Sequence, residues 1–111
     1  MSVGLFSAQY RLQTKAEFSA VFERAQKRHG RFFTLFFRPN LGERPRLGVA
    51  VAKRFFKRAH DRNLYKRLVR ENFRINKALL NGLDVVVVVK KEADTCTNQE
   101  FSMALQKAWQ P

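Results

Sequence analysis

The sequence predicts a mixed α+β fold with helices packed on a single sheet, and three observations carry that prediction. Thr14-Lys15-Ala16-Glu17 and Thr97-Asn98-Gln99-Glu100 each match a capping box followed by apolar residues at helical spacing. Asp84 to Lys90 (DVVVVVK) is a continuous β-branched run, the mark of a central strand covered on both faces. Between them, Lys53 to Lys77 holds ten of the twenty-two Lys and Arg residues against only Asp61 and Glu71, and its apolar residues recur at helical spacing. With 111 residues, 45% of them hydrophobic, the chain has material for one core, so residues 1–111 are expected to form one domain.

Taken in order, residues 1 to 10 show neither periodicity nor a cap and are expected to form an extended arm. A helix begins near Lys15, with Phe18, Val21, Phe22 and Ala25 on one face, and fades into the polar run before Gly30. Arg31 to Arg38 (RFFTLFFR) reads as a strand, with Phe33, Leu35 and Phe37 on one face and Phe32, Thr34, Phe36 and Arg38 on the other. Aromatics on both faces fit either a ring surface for unpaired bases or a strand covered on both sides. Pro39 to Arg46 has turn composition. The strand after it places Leu47, Val49, Val51 and Lys53 opposite Gly48, Ala50 and Ala52, a small-residue face that permits close approach of a helix. From Asp61 a basic helix is expected to bury Leu64, Leu68, Ile75 and Leu79, flanked by Tyr65, Val69 and Phe73. It presents Asn63, Lys66, Arg67, Arg70, Arg74 and Lys77, and stops near Gly82. The valine strand and a C-terminal helix carrying Phe101, Ala104, Leu105 and Ala108 complete the chain.

A net charge of +13 and a pI near 11.0 point to a polyanion, nucleic acid before an anionic membrane surface. The acidic residues that would neutralise the basic helix at helical spacing are nearly absent. No apolar run approaches the roughly 20 residues needed to cross a bilayer, and MSVGLFSAQYRL does not read as a signal peptide, so a cytoplasmic location is expected. The lone Cys96 has no cysteine partner for a disulfide or a metal site. Nine scattered acidic residues and two histidines within basic runs supply no acid–base or metal constellation, and there is no phosphate-binding glycine loop. A protein-based catalytic site is not expected.

The run Arg62-Asn63-Leu64-Tyr65-Lys66-Arg67-Leu68-Val69-Arg70-Glu71 resembles the signature of the bacterial ribonuclease P protein family, commonly Arg-Asn-Arg, then Lys-Arg, then Arg-Glu. Arg46 to Arg54 is similar to the family's strand ending in paired basic residues, and Arg58-Ala59-His60 fits the approach to the signature. The resemblance covers roughly residues 11 to 109. It implies an α/β sandwich in the order αβββαβα, similar to a domain of ribosomal protein S5, with a left-handed βαβ crossover and a short extra strand around Gln26 to Arg28. It also implies a protein that binds a catalytic RNA and the 5′ leader of precursor tRNA, while the RNA performs metal-dependent hydrolysis with Mg2+.

Carried over by position, Arg58, His60, Arg62, Asn63, Lys66, Arg67, Arg70 and Arg74 face the catalytic RNA. Phe18, Phe22, Phe36, Lys53 and Arg54 line the leader cleft. Phe36 stands where relatives often have Tyr, and Leu64 where the signature usually has its second Arg. A monomer, one copy per RNA, is expected. Without the resemblance, the same charge and aromatics also suit a ribosomal or other RNA-structuring protein. A major-groove DNA binder fits less well, having few base-reading side chains.

Overall fold

Both capping boxes form in a computed structural model of the chain, which describes residues 10–12, 14–40, 42 and 44–110. The Thr14 hydroxyl accepts from the Glu17 N–H at 3.1 Å while the Glu17 carboxylate accepts from the Thr14 N–H at 3.0 Å, which opens α1 (Lys15–Arg24). Thr97 and Glu100 repeat the reciprocal pair and open α3 (Asn98–Ala108). These bonds hold the Glu100 carboxyl below its ordinary pKa. Between the two helices lie β1 (Gln26–His29), β2 (Phe33–Pro39), β3 (Arg46–Val51), α2 (Ala59–Ile75) and β4 (Leu83–Val89), with 3-10 turns at Lys77–Leu80 and Lys91–Thr95. The order αβββαβα matches the expected one, including the short strand at Gln26. The expected N-terminal arm lies outside the described residues up to residue 9. Arg11 bridges to Leu47, and Leu12 donates to the Leu47 carbonyl at 2.8 Å, which ties this segment to the edge of β3.

The strands form one sheet in the order β1-β2-β4-β3, with β4 antiparallel to β2 and parallel to β3, so α2 is the crossover between two neighbouring parallel strands. On one face Phe33, Leu35, Leu47, Val85, Val87 and Val89 pack with Tyr65, Val69 and Phe73 of α2 and Phe101, Leu105 and Trp109 of α3. On the other, Val86 packs with Val21 of α1 and Leu12, and Phe18, Phe36 and Val88 border them. The run of valines is therefore buried from both sides, as its lack of alternation requires. The same two layers explain the aromatics on both faces of β2. That strand begins at Phe33, so Phe32 departs from the expected alternation and joins the α2/α3 cluster.

The basic helix differs from its expected form in both boundaries and in the stripe it buries. It starts at Ala59, two residues before Asp61, and ends at Ile75, well before Gly82. Asn76 stops it: its backbone N–H returns to Asn72 and Phe73, while its side chain exchanges two 3.0 Å bonds with the Gln106 amide of α3. Gly82 does take a left-handed φ of 80°, but in the turn into β4, after the 3-10 turn. The buried stripe is Tyr65, Val69 and Phe73, at i, i+4 and i+8. Leu64 and Leu68 are half-buried, whereas Ile75 and Leu79 are 70% and 53% exposed. Seven apolar residues cover too wide an arc for one helix–sheet contact, and the arc's large central side chains are the ones that meet Phe101 and Trp109.

Candidate nucleic-acid interface

Strand register determines which side chains share the α1 face of the sheet. Lys27 stands opposite Phe36, which stands opposite Val86, and Val86 is opposite Gly48. The next row is His29, Thr34, Val88 and Ala50. Helix α1 lies across the strands at the Arg38, Asp84 and Arg46 end, where the Arg38 guanidinium donates to the Ala20 carbonyl. The Phe18 ring descends onto Gly48 so closely that a Cβ there would lie 2.5 Å from the ring. This is the close approach permitted by the small-residue face of β3. One turn on, Phe22 meets Phe36 edge-on with centroids 4.9 Å apart, and Phe22 remains 42% exposed.

Beside this phenyl ridge the α1 face carries Val88 and Ala50, both half-buried, and register makes the ridge and this row a candidate trough across the strands. Phe18, Phe22 and Phe36 are thus brought together. Phe18 is half-buried over Gly48, Phe36 supports Phe22, and Phe22 is the ring of the three with the most free area. Lys53 lies beyond the end of β3, exposed in a turn, so its expected place on the Leu47 face lapses. Arg54 stands apart, its guanidinium 4.7 Å from the Phe55 centroid beside a shallow hollow bordered by Glu92 and Asp94.

Around the edge strand β3 from this trough, α2 turns its polar side outward. At about 100° per residue, Asn63, Arg67, Arg70 and Arg74 (i, i+4, i+7, i+11) fall in one stripe about 16 Å long. His60 extends the stripe and Lys66 flanks it. Opposing charge is sparse: the Arg67 and Glu71 side chains approach only to 4.0 Å and are 66% and 55% exposed, a pair worth little in water. Arg70 is half-buried, and its guanidinium pKa is lowered by burial first and by neighbouring Arg11 second. A desolvated arginine beside another cation favours an anionic ligand. Arg62 behaves differently. It falls on the inward side of the helix, and its guanidinium donates to the carbonyls of Phe56 and Lys57 at 2.7 and 2.9 Å, bracing the loop that leads into α2. Arg58 caps that loop as an exposed residue without a side-chain capping bond.

One polar group central to the site escaped sequence reasoning. Asp84, 6% exposed within the valine strand, receives a bidentate pair from Arg46 (2.9 and 2.7 Å) and a further bond from the Asn40 amide. Arg46 also reaches Glu17 at 2.7 Å, so one guanidinium joins β3, β4 and the first turn of α1, and its pKa is raised, chiefly by the Asp84 bond. A single acid in a buried β-branched run requires a cationic partner. That was the available signal; register sets both Arg38 and Arg46 opposite Asp84, and Arg46 is the one that pairs with it while Arg38 turns to the Ala20 carbonyl. Among the described residues no three His, Cys, Asp or Glu side chains gather as a metal site.

The small α+β frame that carries these surfaces is shared with known proteins. The family described as Ribonuclease P matches residues 6–111. This chain belongs to the ribonuclease P protein family. A ribonuclease P protein component from Pseudoalteromonas atlantica is 43% identical over 109 residues, spanning 98% of this chain and 91% of the relative. Among solved structures, a Staphylococcus aureus RNase P protein, a mutant with defective mRNA degradation activity, superposes with a TM-score of 0.83 at 27% identity. It covers 89% of this chain and 84% of that one. The RNase P protein of Thermotoga maritima in complex with 1-(4-fluorophenyl)-2-thiourea gives 0.80 at 30% identity, covering 89% and 96%. As a ribonuclease P protein, the chain is one part of a ribonucleoprotein enzyme that processes tRNA 5′ ends. It has an RNA partner, and the metal ions of the reaction act through that RNA. Among the described residues no helix is long and apolar enough to cross a membrane.

Proposed function

We propose that the protein divides its two surfaces between two RNAs: the α2 stripe grips the catalytic RNA, and the trough holds the single-stranded 5′ leader of precursor tRNA. The observation that carries this reading is the placement of the two surfaces on opposite faces of one sheet, so that both can be occupied at once. Asn63, Lys66, Arg67, Arg70 and Arg74, with His60 and Arg58 at the helix start, contact phosphates, while Arg62 acts by positioning the loop. In the trough, Phe22 offers a face for base stacking, Phe18 and Phe36 hold it in place, and Lys53 meets the backbone; Arg54 is the more peripheral cation. Hydrolysis belongs to the RNA. Its phosphate oxygens are hard ligands suited to Mg2+, and the protein's cationic surfaces are not. The complex holds one protein per RNA, the protein itself is a monomeric single domain, and it works in the cytoplasm.

The leader assignment is tested with Phe22→Ala in the reconstituted holoenzyme. Stacking on one ring is worth about 1–3 kcal/mol, so affinity for leader-bearing precursor should fall about tenfold while mature tRNA is little affected. Equal losses for both RNAs would make Phe22 a packing residue only. Because Phe22 is the more exposed ring, it tests stacking more cleanly than Phe18, whose removal would also leave a void above Gly48. Protein freed of RNA is expected to leave precursor tRNA intact, and cleavage by such a preparation would overturn the division of labour.

A further inference from the structure

We propose that Lys27 is a second cationic anchor for the leader, placed at the β1 end of the trough opposite Lys53; this rests on the leader reading above. Lys27 lies on the edge strand, exposed, and register puts it on the α1 face directly opposite Phe36. Its ammonium sits 5.6 Å from the Phe36 centroid, and Phe22 meets the same ring edge-on. The ammonium therefore stands one ring away from the most open stacking surface of the trough. The described ion pairs involve only Arg46 and Arg67, which leaves the Lys27 charge available to a ligand. A lysine on an edge strand also discourages strand addition, but that role does not require it to lie over the ring of the trough.

The sheet then sets a length. Three inter-strand steps of about 4.8 Å place the β1 end about 14 Å from the β3 end. Lys53 lies five residues beyond Gly48, the β3 residue in the Lys27 row, which adds an offset of about 16 Å along the strands, so the two lysines stand about 22 Å apart, a run of about six nucleotides at the roughly 3.4 Å spacing of a stacked strand. A single strand laid diagonally over the trough would meet Lys53 at one end and Lys27 at the other, with its bases against Phe22 on the way. This is the combination of cationic groove and aromatic platform that holds unpaired RNA without reading its sequence.

The test uses holoenzyme reconstituted with wild-type, Lys27→Gln, Lys27→Arg, Lys53→Gln or Phe22→Ala protein, and precursors whose leaders lengthen one nucleotide at a time. Lys27→Gln should weaken precursor binding by up to about fivefold, the size of one exposed charge contact, while sparing mature tRNA. Lys27→Arg should retain most of the affinity. The losses caused by Lys27→Gln and Lys53→Gln should begin at leader lengths about six nucleotides apart. If Lys27→Gln is silent at every length, or weakens mature tRNA equally, while Lys53→Gln and Phe22→Ala remain leader-dependent, Lys27 is not an anchor and the leader reading stands. If none of the variants separates precursor from mature tRNA, the leader reading itself fails.

Discussion

Arg67→Ala combined with Arg70→Ala should lower affinity for the catalytic RNA by roughly thirtyfold near 0.15 M salt. Each phosphate contact releases about 0.9 of a counterion, worth about 1 kcal/mol at that salt concentration, and two contacts act together. The slope of log affinity against log salt should become shallower by about 1.8, a readout that a loss of folding would not mimic. Arg70 is half-buried beside Arg11, so removing it also relieves repulsion, and thermal stability should not suffer. Arg67, with its side chain 66% exposed, provides a single-variant check. An unchanged salt slope in both the single and the double variant would mean that the stripe does not touch phosphate. Lysine in place of the two arginines should restore the slope but not the full affinity, because the ammonium cannot make the bidentate contact.

Asp84→Ala should destabilise the fold by about 3 kcal/mol, the lower end of the range for breaking a buried pair, because the Arg46 side chain retains 34% exposure. For a chain of this size that corresponds to a fall in Tm of about 15 °C. Arg46 also holds Glu17 in the first turn of α1, so the loss extends to the helix that carries the phenyl ridge. In folded Asp84→Ala protein, leader selectivity should therefore fall more than affinity for the catalytic RNA, since α2 is anchored independently through Tyr65, Val69 and Phe73. Chemical denaturation checks the first statement and the precursor-to-mature ratio the second. A destabilisation below about 1 kcal/mol would mean that the network behaves as a surface ion pair.

By itself the sequence determined the elements whose signals are local. Two capping boxes, a five-valine run and a basic helical segment each carry their own hydrogen-bonding or burial requirement within a few residues, and each became an element of the expected type, the basic helix with shifted ends. The ribonuclease P signature is equally local, and with it came the family. Only the tertiary structure decided what depends on residues far apart in the chain. Register placed Lys27 against Phe36, and contact with Phe101 and Trp109 selected Tyr65, Val69 and Phe73 from seven apolar candidates as the buried stripe. The same distant packing turned Arg62 inward onto two carbonyls and gave Asp84 its partner in Arg46, 38 residues away. A helical wheel reports the angle of a side chain around its own axis, whereas burial and pairing depend on what another segment brings to that angle.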